Sequence, residues 1–241
     1  SCCVVGGGPA GMMLAFLLAR AGVDVVVMEK HADFFRDFRG DTIHPSTMEI
    51  LHELGLLDDF LKLPHNKTHK MIGRVGGGMY PIADMTRLDV RTPYIAFIPQ
   101  WDFLNFLAAK AKQYPSFHLH METDATDIIW DNGRAVGVKA KHKDESFEIK
   151  AELIVGCDGR HSTIREKAGL AIENLAVPFD VLWFKLAALA SDPEESFGIL
   201  NDGKVMVTLD RGDYWQCGWL IEKGKLDEMK RAGLDAFKAD I

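Results

Sequence analysis

The fold is decided by residues 2–11, which read CCVVGGGPAG. The first part of this segment is a short apolar run that predicts a fully buried strand, and a glycine-rich turn follows it. Met12–Ala21 is an apolar segment without a helix breaker, and Gly22 after it is a usual helix-stop residue. Val23–Met28 is a second buried run, rich in valine as a parallel strand should be. The order strand, turn, helix, strand predicts the first βαβ unit of an α/β fold.

Three glycines in the turn form a Gly-x-Gly-x-x-Gly pattern. Gly6 permits the tight turn, Gly8 lets the backbone approach a pyrophosphate, and Gly11 lets the helix pack closely on the strand. The helix N-terminus then presents free amide groups to the phosphates. Glu29 ends the second strand, where its carboxylate can accept hydrogen bonds from ribose hydroxyls and repels a 2′-phosphate. We therefore expect FAD or NAD rather than NADP, and the complete context disfavours a mere glycine-rich turn beside a surface Glu.

The rest of the chain divides into a further α/β portion and a β-rich portion. Ser46 and Glu49 have the spacing of a capping box at the start of the next helix. Short strands with Gly and Pro breaks are predicted within Met71–Pro99. The other predicted helices and strands are helices 46–54, 57–63, 101–114 and 226–238 and strands 117–121, 125–130, 135–141, 146–149, 153–157, 177–189, 198–200, 205–209 and 214–221. We expect an α/β domain with a parallel sheet, interleaved with a mostly antiparallel β-rich layer.

The composition is that of an ordinary globular protein. The chain has 241 residues, with 28 Lys and Arg against 35 Asp and Glu, so its formal net charge is −7. Its hydrophobic content of 47% and charged content of 26% exclude a disordered tail, a collagen-like repeat and a coiled coil. The acidic balance disfavours a nucleic-acid partner, and no run of about 18 apolar residues indicates a membrane span. Four cysteines without zinc-like spacing predict reduced thiols, no metal site and a cytoplasmic protein.

Three later motifs accompany the glycine turn. Residues 38–42 read FRGDT, residues 99–101 read PQW, and residues 156–165 read GCDGRHSTIR. Together with the turn, these motifs resemble the flavoprotein aromatic hydroxylases, the para-hydroxybenzoate hydroxylase type of FAD-dependent monooxygenase. The resemblance extends from Gly6 to Arg165, about two thirds of the chain, and residues 156–165 are its most specific part.

The resemblance implies that the cofactor is FAD and suggests which residues hold it. In that family an arginine loop, represented here by Arg39, crosses the pyrophosphate and the ribityl chain. Gln100 stands where the family has an Arg or Gln that contacts the same region, and Asp158 stands in the Asp-Gly motif. The glycine turn and the resemblance together predict cofactor contacts from Gly6, Gly8, Pro9, Ala10, Gly11, Glu29, Lys30, Arg39, Gly40, Asp41, Thr42, Gln100, Ala125, Asp158 and Gly159.

The implied activity is that of an FAD-dependent monooxygenase. NADH or NADPH serves such enzymes as a transient electron donor, and one oxygen atom of O2 is transferred to an aromatic or similarly flat apolar substrate. No catalytic residue is identified, although His44 is a candidate acid or base because an imidazole titrates near neutral pH. Two alternatives stay open. One is another flavin-dependent oxidoreductase on the same scaffold, such as a dehydrogenase, a reductase or a halogenase, and the other is an FAD-binding chain without turnover.

The order of the predicted elements divides the chain into domains, and the resemblance shows one departure. An FAD-binding domain is expected over 1–70 and 100–170, and a β-rich substrate domain over 71–99 and 171–241. The family carries a later Gly-Asp motif, whereas Arg211–Asp213 contains Gly-Asp but predicts a turn because an apolar strand follows it. We therefore expect that the natural protein continues beyond Ile241. Because the sequence opens inside an apolar run without an initiator Met, we also expect that this segment is trimmed at its start. The sequence leaves open whether the protein is a monomer or a homodimer.

The aromatic residues of the β-rich portion allow two interpretations. Trp215 and Trp219 fall on one face of a strand, because side chains alternate with a period of two. Most of these residues are expected in the core, whereas some can line a pocket for a flat apolar substrate. The residues concerned are Phe179, Trp183, Phe184, Tyr214, Trp215 and Trp219.

Overall fold

The structure is a computed structural model, and it describes residues 1–35, 41–193, 196–201 and 203–240. The helices are α1 (Pro9–Arg20), α2 (Pro45–Glu53), α3 (Leu57–Phe60), α4 (Gln100–Ala111), α5 (Thr163–Lys167), α6 (Leu226–Ala232) and α7 (Leu234–Asp240). The strands are β1 (Cys2–Val5), β2 (Val25–Met28), β3 (Thr42–Ile43), β4 (Asn66–Thr68), β5 (Lys70–Val75), β6 (Gly78–Asp84), β7 (Ile95–Phe97), β8 (Phe117–His120), β9 (Thr123–Asp131), β10 (Arg134–His142), β11 (Glu145–Lys150), β12 (Leu153–Gly156), β13 (Phe179–Ala187), β14 (Phe197–Asn201), β15 (Lys204–Asp210) and β16 (Tyr214–Glu222).

The chain folds into two compact units. The first unit draws its described residues from 1–39 and 99–173, and the second from 40–98 and 174–241. Residues 41–70 thus pack with the second unit, although the sequence analysis grouped them with the FAD-binding domain. The predicted domain boundaries also assign a function to each domain, and they stay a prediction.

The first unit is built on a four-stranded parallel sheet with the order β12-β1-β2-β8. Its two central strands are buried because valine side chains on both faces are covered, as Val4, Val25 and Val27 show with no exposed surface. Helix α1 packs against β1, β2 and α4. An antiparallel sheet of β11, β10 and β9 shares a core with β1, in which Cys3 and Val138 are fully buried. The three layers hold the carboxyl ends of the parallel strands in place.

The second unit is built on a six-stranded sheet with the order β13-β16-β15-β14-β5-β6. All neighbouring strands in it are antiparallel except β14 and β5, which run parallel. Phe237 of α7 covers part of one face, with its ring 5.1 Å from that of Phe184 and 5.6 Å from that of Trp219. A small sheet of β3, β7 and β4 contributes Ile95 and Phe97 to a core that they share with Leu209 and the six-stranded sheet.

These two units confirm the predicted fold class, an α/β protein with a parallel sheet and a mostly antiparallel β-rich layer. The capping box at Ser46 was wrong. Pro45 occupies the first helical position of α2, where its fixed φ and missing N–H suit the helix start, and His44 is the N-cap residue. The Glu49 carboxylate instead accepts a hydrogen bond of 2.9 Å from the Arg91 backbone N–H.

The predicted single helix over 226–238 was also wrong. Gly233 adopts a φ of 90°, which L-residues rarely adopt, and it separates α6 from α7. None of the helices that the structure describes is long and apolar enough to span a membrane.

Candidate cofactor site

A cavity of about 490 Å³ opens at the carboxyl ends of β1, β2 and β12 in the first unit. The chain runs from β1 to β2 and β8 on one side, and β12 then joins the sheet on the other side of β1. The loops that follow these neighbouring strands therefore leave in opposite directions, and a crevice forms between them. Open α/β sheets bind ligands in such crevices. Its lining comprises Val5, Gly6, Gly8, Met28, Glu29, Lys30, His31, Gln100, Thr123, Asp124, Ala125, Cys157, Asp158, Gly159, Arg160, His161 and Thr163.

Two glycines of the turn are required by the protein's own packing. Gly6 has a φ of +107°, and a Cβ atom on it would lie 2.3 Å from the carbonyl oxygen of Cys157. A Cβ atom on Gly11 would lie 1.9 Å from the carbonyl oxygen of Gly6. Both positions exclude any side chain because β1, α1 and the residues after β12 meet here at backbone contact distance.

Gly8 differs, because its conformation and its described surroundings do not require a glycine. Its φ of −72° and ψ of −178° suit any residue, and among the described residues no heavy atom other than those of its chain neighbours lies within 4 Å of its ideal Cβ position. The open space beside Gly8 belongs to the cavity. A Cβ atom would therefore fill space that the fold leaves free, which fits the close approach of a pyrophosphate to the backbone.

The start of α1 also fits an anionic group. Gly8 is the N-cap and has no side chain that could cap the first turn, and Pro9 opens the helix. The first turn contains no acidic residue. The free backbone N–H groups and the positive end of the helix dipole are thus left for a phosphate.

The Glu29 carboxylate is held rigidly at the cavity wall. Its side chain is only 10% exposed. Oε2 accepts a hydrogen bond of 3.0 Å from the Gly7 backbone N–H, and Oε1 accepts one of 3.0 Å from the His31 backbone N–H. A carboxylate at this position is an acceptor for ribose hydroxyl groups.

The Asp158 carboxylate shapes the turn after β12. The Ser162 hydroxyl donates to Asp158 Oδ1 at 2.5 Å, and the Ile164 backbone N–H donates to Oδ2 at 3.1 Å. The Ser162 oxygen in turn accepts from the Arg165 backbone N–H at 3.0 Å and caps α5. Gly159 has a φ of +83°, which lets the chain turn along the cavity. Asp158 therefore fixes the backbone that lines the site.

Burial raises the pKa of two cysteine thiols at and below the cavity. Cys157 lines the cavity, and burial and then the Asp158 charge raise its pKa. Burial raises the pKa of Cys3, below the cavity in β1, to about 12. Since the thiolate is the nucleophilic form, the raised pKa lowers the reactivity of both thiols near neutral pH. Among the described residues, no group of three or more His, Cys, Asp or Glu side chains is placed to hold a metal ion.

The structure brings most of the predicted cofactor residues together. Pro9, Ala10 and Gly11 form the first turn of α1. Arg39 and Gly40 lie outside the described residues. Those that line the cavity are Gly6, Gly8, Glu29, Lys30, Gln100, Ala125, Asp158 and Gly159.

Other predicted residues belong to the second unit. Asp41 precedes β3, Thr42 pairs with Phe97 in β3 and β7, and His44 is an exposed residue at the start of α2. Their roles toward a cofactor stay predictions.

The cavity also has polar residues that the sequence analysis did not select. Arg160, His161 and Thr163 lie inside the Asp-Gly motif, so the motif itself carried the signal for them. Thr123 and Asp124 begin β9, and only the chain path from β8 places them beside Glu29. The Thr123 backbone N–H donates to the Glu29 carbonyl oxygen at 2.9 Å.

The parallel sheet, the glycine turn and the buried acid at the crevice define a dinucleotide-binding α/β protein. The chain belongs to the FAD binding domain family, whose model matches residues 1–228. The cofactor is therefore FAD, as predicted, and the predicted resemblance to the FAD-dependent aromatic hydroxylases is confirmed.

Individual relatives share this architecture along nearly the whole chain. The chain is 29% identical to 6-methylpretetramide 4-monooxygenase from Streptomyces rimosus over 240 residues, which cover 99% of this chain and 57% of that protein. It superposes on p-nitrophenol 4-monooxygenase PnpA from Pseudomonas putida DLL-E4 with a TM-score of 0.82 and 25% identity, over 95% of this chain and 60% of that one. The flavin-dependent halogenase CmlS shares the fold, with a TM-score of 0.84 and 20% identity over 99% of this chain and 44% of its own. The chain thus spans less than two thirds of each of these proteins.

Proposed function

We propose that the protein is an FAD-dependent monooxygenase that transfers one oxygen atom of O2 to an aromatic or similarly flat apolar substrate. NADH or NADPH is the proposed electron donor. The observation that carries the proposal is the cavity at β1, β2 and β12, in which the open backbone at Gly8 and the buried Glu29 carboxylate meet. Its chain is similar to proteins named as monooxygenases of aromatic compounds.

Each part of the cavity has a proposed role. Gly8 and the start of α1 bind the pyrophosphate, and Glu29 binds the adenosine ribose. Gln100 at the start of α4 contacts the ribityl side of the cofactor, while Asp158 orients the turn after β12 through its hydrogen bonds. When bound, FAD supplies the redox chemistry, and the chain's residues bind and orient it.

The second unit is proposed to supply the substrate contacts. Trp215 and Trp219 are only 7% and 5% exposed, so they are core residues, whereas Phe179 and Trp183 are 43% and 40% exposed. Exposed aromatic side chains suit a flat apolar ligand. His44 stays a proposed acid or base, and the cytoplasm stays the proposed compartment because four free cysteines suit a reducing environment.

Incorporation of oxygen-18 tests the reaction. The chain reconstituted with FAD is supplied with NADH or NADPH, 18O2 and a panel of phenols that includes p-nitrophenol. A monooxygenase places one 18O atom in each product molecule and consumes one NAD(P)H for it. Product that forms without label from 18O2 would contradict the proposal, and product that carries chlorine or bromine when halide is present would identify a halogenase instead.

The same assay separates the proposal from an FAD-binding chain without turnover. That alternative predicts no oxygenated product from any phenol of the panel, with NAD(P)H either unused or oxidised to NAD(P)+ while O2 is reduced to an equal amount of hydrogen peroxide. Peroxide and product are therefore measured in the same reaction, and the amount of oxygenated product formed per NAD(P)H oxidised decides between the two.

A further inference from the structure

The turn between β8 and β9 holds the main chain of Glu29 at both of its ends. The Glu29 backbone N–H donates to the carbonyl oxygen of His120, the last residue of β8, at 2.9 Å. The Glu29 carbonyl oxygen accepts from the backbone N–H of Thr123, the first residue of β9, also at 2.9 Å. All of these residues belong to the first unit. The turn therefore fixes the backbone of the residue whose carboxylate lies at the cavity wall.

The Glu29 carboxylate is held through the same turn. Its Oε1 accepts a hydrogen bond of 3.0 Å from the His31 backbone N–H, and the His31 carbonyl oxygen accepts one of 2.9 Å from the Glu122 backbone N–H. Glu122 has a φ of 52°, a left-handed conformation that few residues other than glycine adopt. Its side chain is exposed, so packing of that side chain does not account for the conformation. Backbone strain of this kind persists where the surrounding structure requires it, and it is common at ligand sites.

The Thr123 side chain closes the turn. Only 2% of Thr123 is exposed, and its hydroxyl donates to the Met121 carbonyl oxygen at 3.0 Å. A hydroxyl that binds the backbone within the same turn restricts the conformations that the turn can adopt. Because the Thr123 backbone N–H binds the Glu29 carbonyl oxygen, this restriction extends to the acid.

We infer that Thr123 and Glu122 are positioning residues for the adenosine ribose, because their hydrogen bonds hold Glu29 where its carboxylate accepts the ribose hydroxyls. The inference rests on the proposed function, in which Glu29 binds the adenosine ribose of FAD. A carboxylate that folding has already oriented binds a ligand without a further loss of conformational freedom. Neither positioning residue has to touch the ribose.

The experiment measures the discrimination of the ribose hydroxyls. Calorimetry with the full 241-residue apoprotein gives the dissociation constants of ADP and of 2′,3′-dideoxy-ADP, and the ratio of the second to the first is the discrimination. The two ligands differ only in the ribose hydroxyls, so a general loosening of the cavity raises both constants alike. Thermal unfolding of each protein sets a common temperature at which all are folded.

Two matched pairs of variants test the turn. Thr123→Val removes the hydroxyl that Thr123→Ser keeps. Glu122→Val and Glu122→Gly remove the same exposed carboxylate, but only glycine adopts a φ of 52° without strain. Thr126→Val in β9 is the control, because it removes a hydroxyl that donates to the Lys139 carbonyl oxygen at 3.2 Å outside the cavity lining.

The expected result is a selective loss of discrimination. Hydrogen bonds to a charged group should give the wild type a discrimination of about 10- to 100-fold, and Glu29→Ala should abolish it. Thr123→Val and Glu122→Val should each lower the discrimination about fivefold or more. Thr123→Ser, Glu122→Gly and the control should keep it within about twofold of the wild type.

Several results would overturn the inference. A folded Thr123→Val that discriminates like the wild type would do so, because Glu29 would then need no support from the hydroxyl. So would a loss in Thr123→Val alone, with Glu122→Val unaffected, since Thr123 would then contact the ribose directly. An equal loss in Thr126→Val would assign the effect to β9 as a whole. A wild-type chain that binds ADP and FAD without discrimination would overturn the inference and leave FAD binding in place, whereas one that binds neither would overturn the proposed function as well.

Discussion

A methyl group added at Gly8 should weaken FAD binding without destabilising the fold. The backbone angles of Gly8 suit alanine, and apart from its chain neighbours an added Cβ atom would meet no atom of the described residues within 4 Å. Gly8→Ala is therefore expected to leave the free energy of unfolding of the apoprotein unchanged, or to raise it by about 0.4–1 kcal/mol through the unfolded chain. Because Gly8 lines the cavity, the same methyl group would enter the space of a pyrophosphate.

The loss of affinity follows from that contact. Forcing an extra methyl group into a packed interface costs about 1–3 kcal/mol, which corresponds to an increase of about 5- to 150-fold in the dissociation constant of FAD. Gly8→Val carries more volume in the same direction, so its loss is larger. The assay is a fluorescence titration with FAD, combined with urea unfolding of the apoprotein.

Two other glycines calibrate the experiment. Gly198→Ala in β14 is the matched control, because its Cβ atom would make only ordinary contacts, at 3.8 Å and 3.9 Å, and FAD affinity is expected to stay unchanged. Gly11→Ala places a Cβ atom 1.9 Å from a backbone oxygen, so it should destabilise the fold itself. If Gly8→Val retains the wild-type affinity for FAD, the pyrophosphate does not lie at Gly8 and the site is wrongly placed.

The remaining predictions concern the acid and the thiols. Glu29→Gln loses charge-assisted hydrogen bonds worth about 1.5–3 kcal/mol, so FAD titration should show roughly 10- to 100-fold weaker binding, and an unchanged affinity would remove Glu29 from the site. Cys157 lines the cavity, so FAD at 100 times its dissociation constant should slow maleimide labelling of this thiol about 100-fold, whereas equal rates would contradict the placement. Burial raises the pKa of Cys3 to about 12 and that of Cys217 to about 11. As the pH rises from about 9 towards 11, these thiols stay protonated in the folded protein, whereas they ionise in the unfolded chain. The free energy of unfolding should therefore fall over this range, by at most about 1.4 kcal/mol per pH unit for each thiol. Urea midpoints at pH 8 and 10.5 measure this loss, which should be smaller in Cys217→Ala, and an equal loss in that variant would assign it to other groups.

Local signals account for the part of the fold that the sequence predicted. The βαβ unit of residues 2–28 is contiguous, and each of its elements is marked by apolar runs and by glycines that end them. The predicted strands 125–130 and 135–141 likewise correspond to β9 and β10, which pair with each other in an antiparallel arrangement. Such elements can be predicted without knowledge of distant residues, because helix and strand propensities and the periodicity of apolar residues depend on neighbouring positions in the sequence.

Long-range pairing accounts for what the sequence did not predict. β14 pairs in parallel with β5, far away in the chain, and no local pattern specifies that register. An ion pair between Asp41 and Arg211 joins residues 170 positions apart, and the turn around Arg211 carried no sign of it. The same holds for Thr123 and Asp124, which reach the cavity only through the position of β8 beside β2. The wrong prediction at the start of α2 had a local cause. The helix begins at Pro45, which favours the first helical position, and not after Ser46, as the capping-box spacing predicted.

Direct titration of the apoprotein with FAD, with NAD+ and NADP+ as competitors, decides whether the glycine turn of this chain binds FAD. We expect one FAD per chain, with the flavin absorbance shifted on binding, and we expect that neither competitor displaces FAD at equal concentration. This binding should be lost in Gly8→Val while the fold is kept. A folded chain that binds NAD+ or NADP+ in preference to FAD, or that binds none of the three, would show that FAD is not the cofactor of this site.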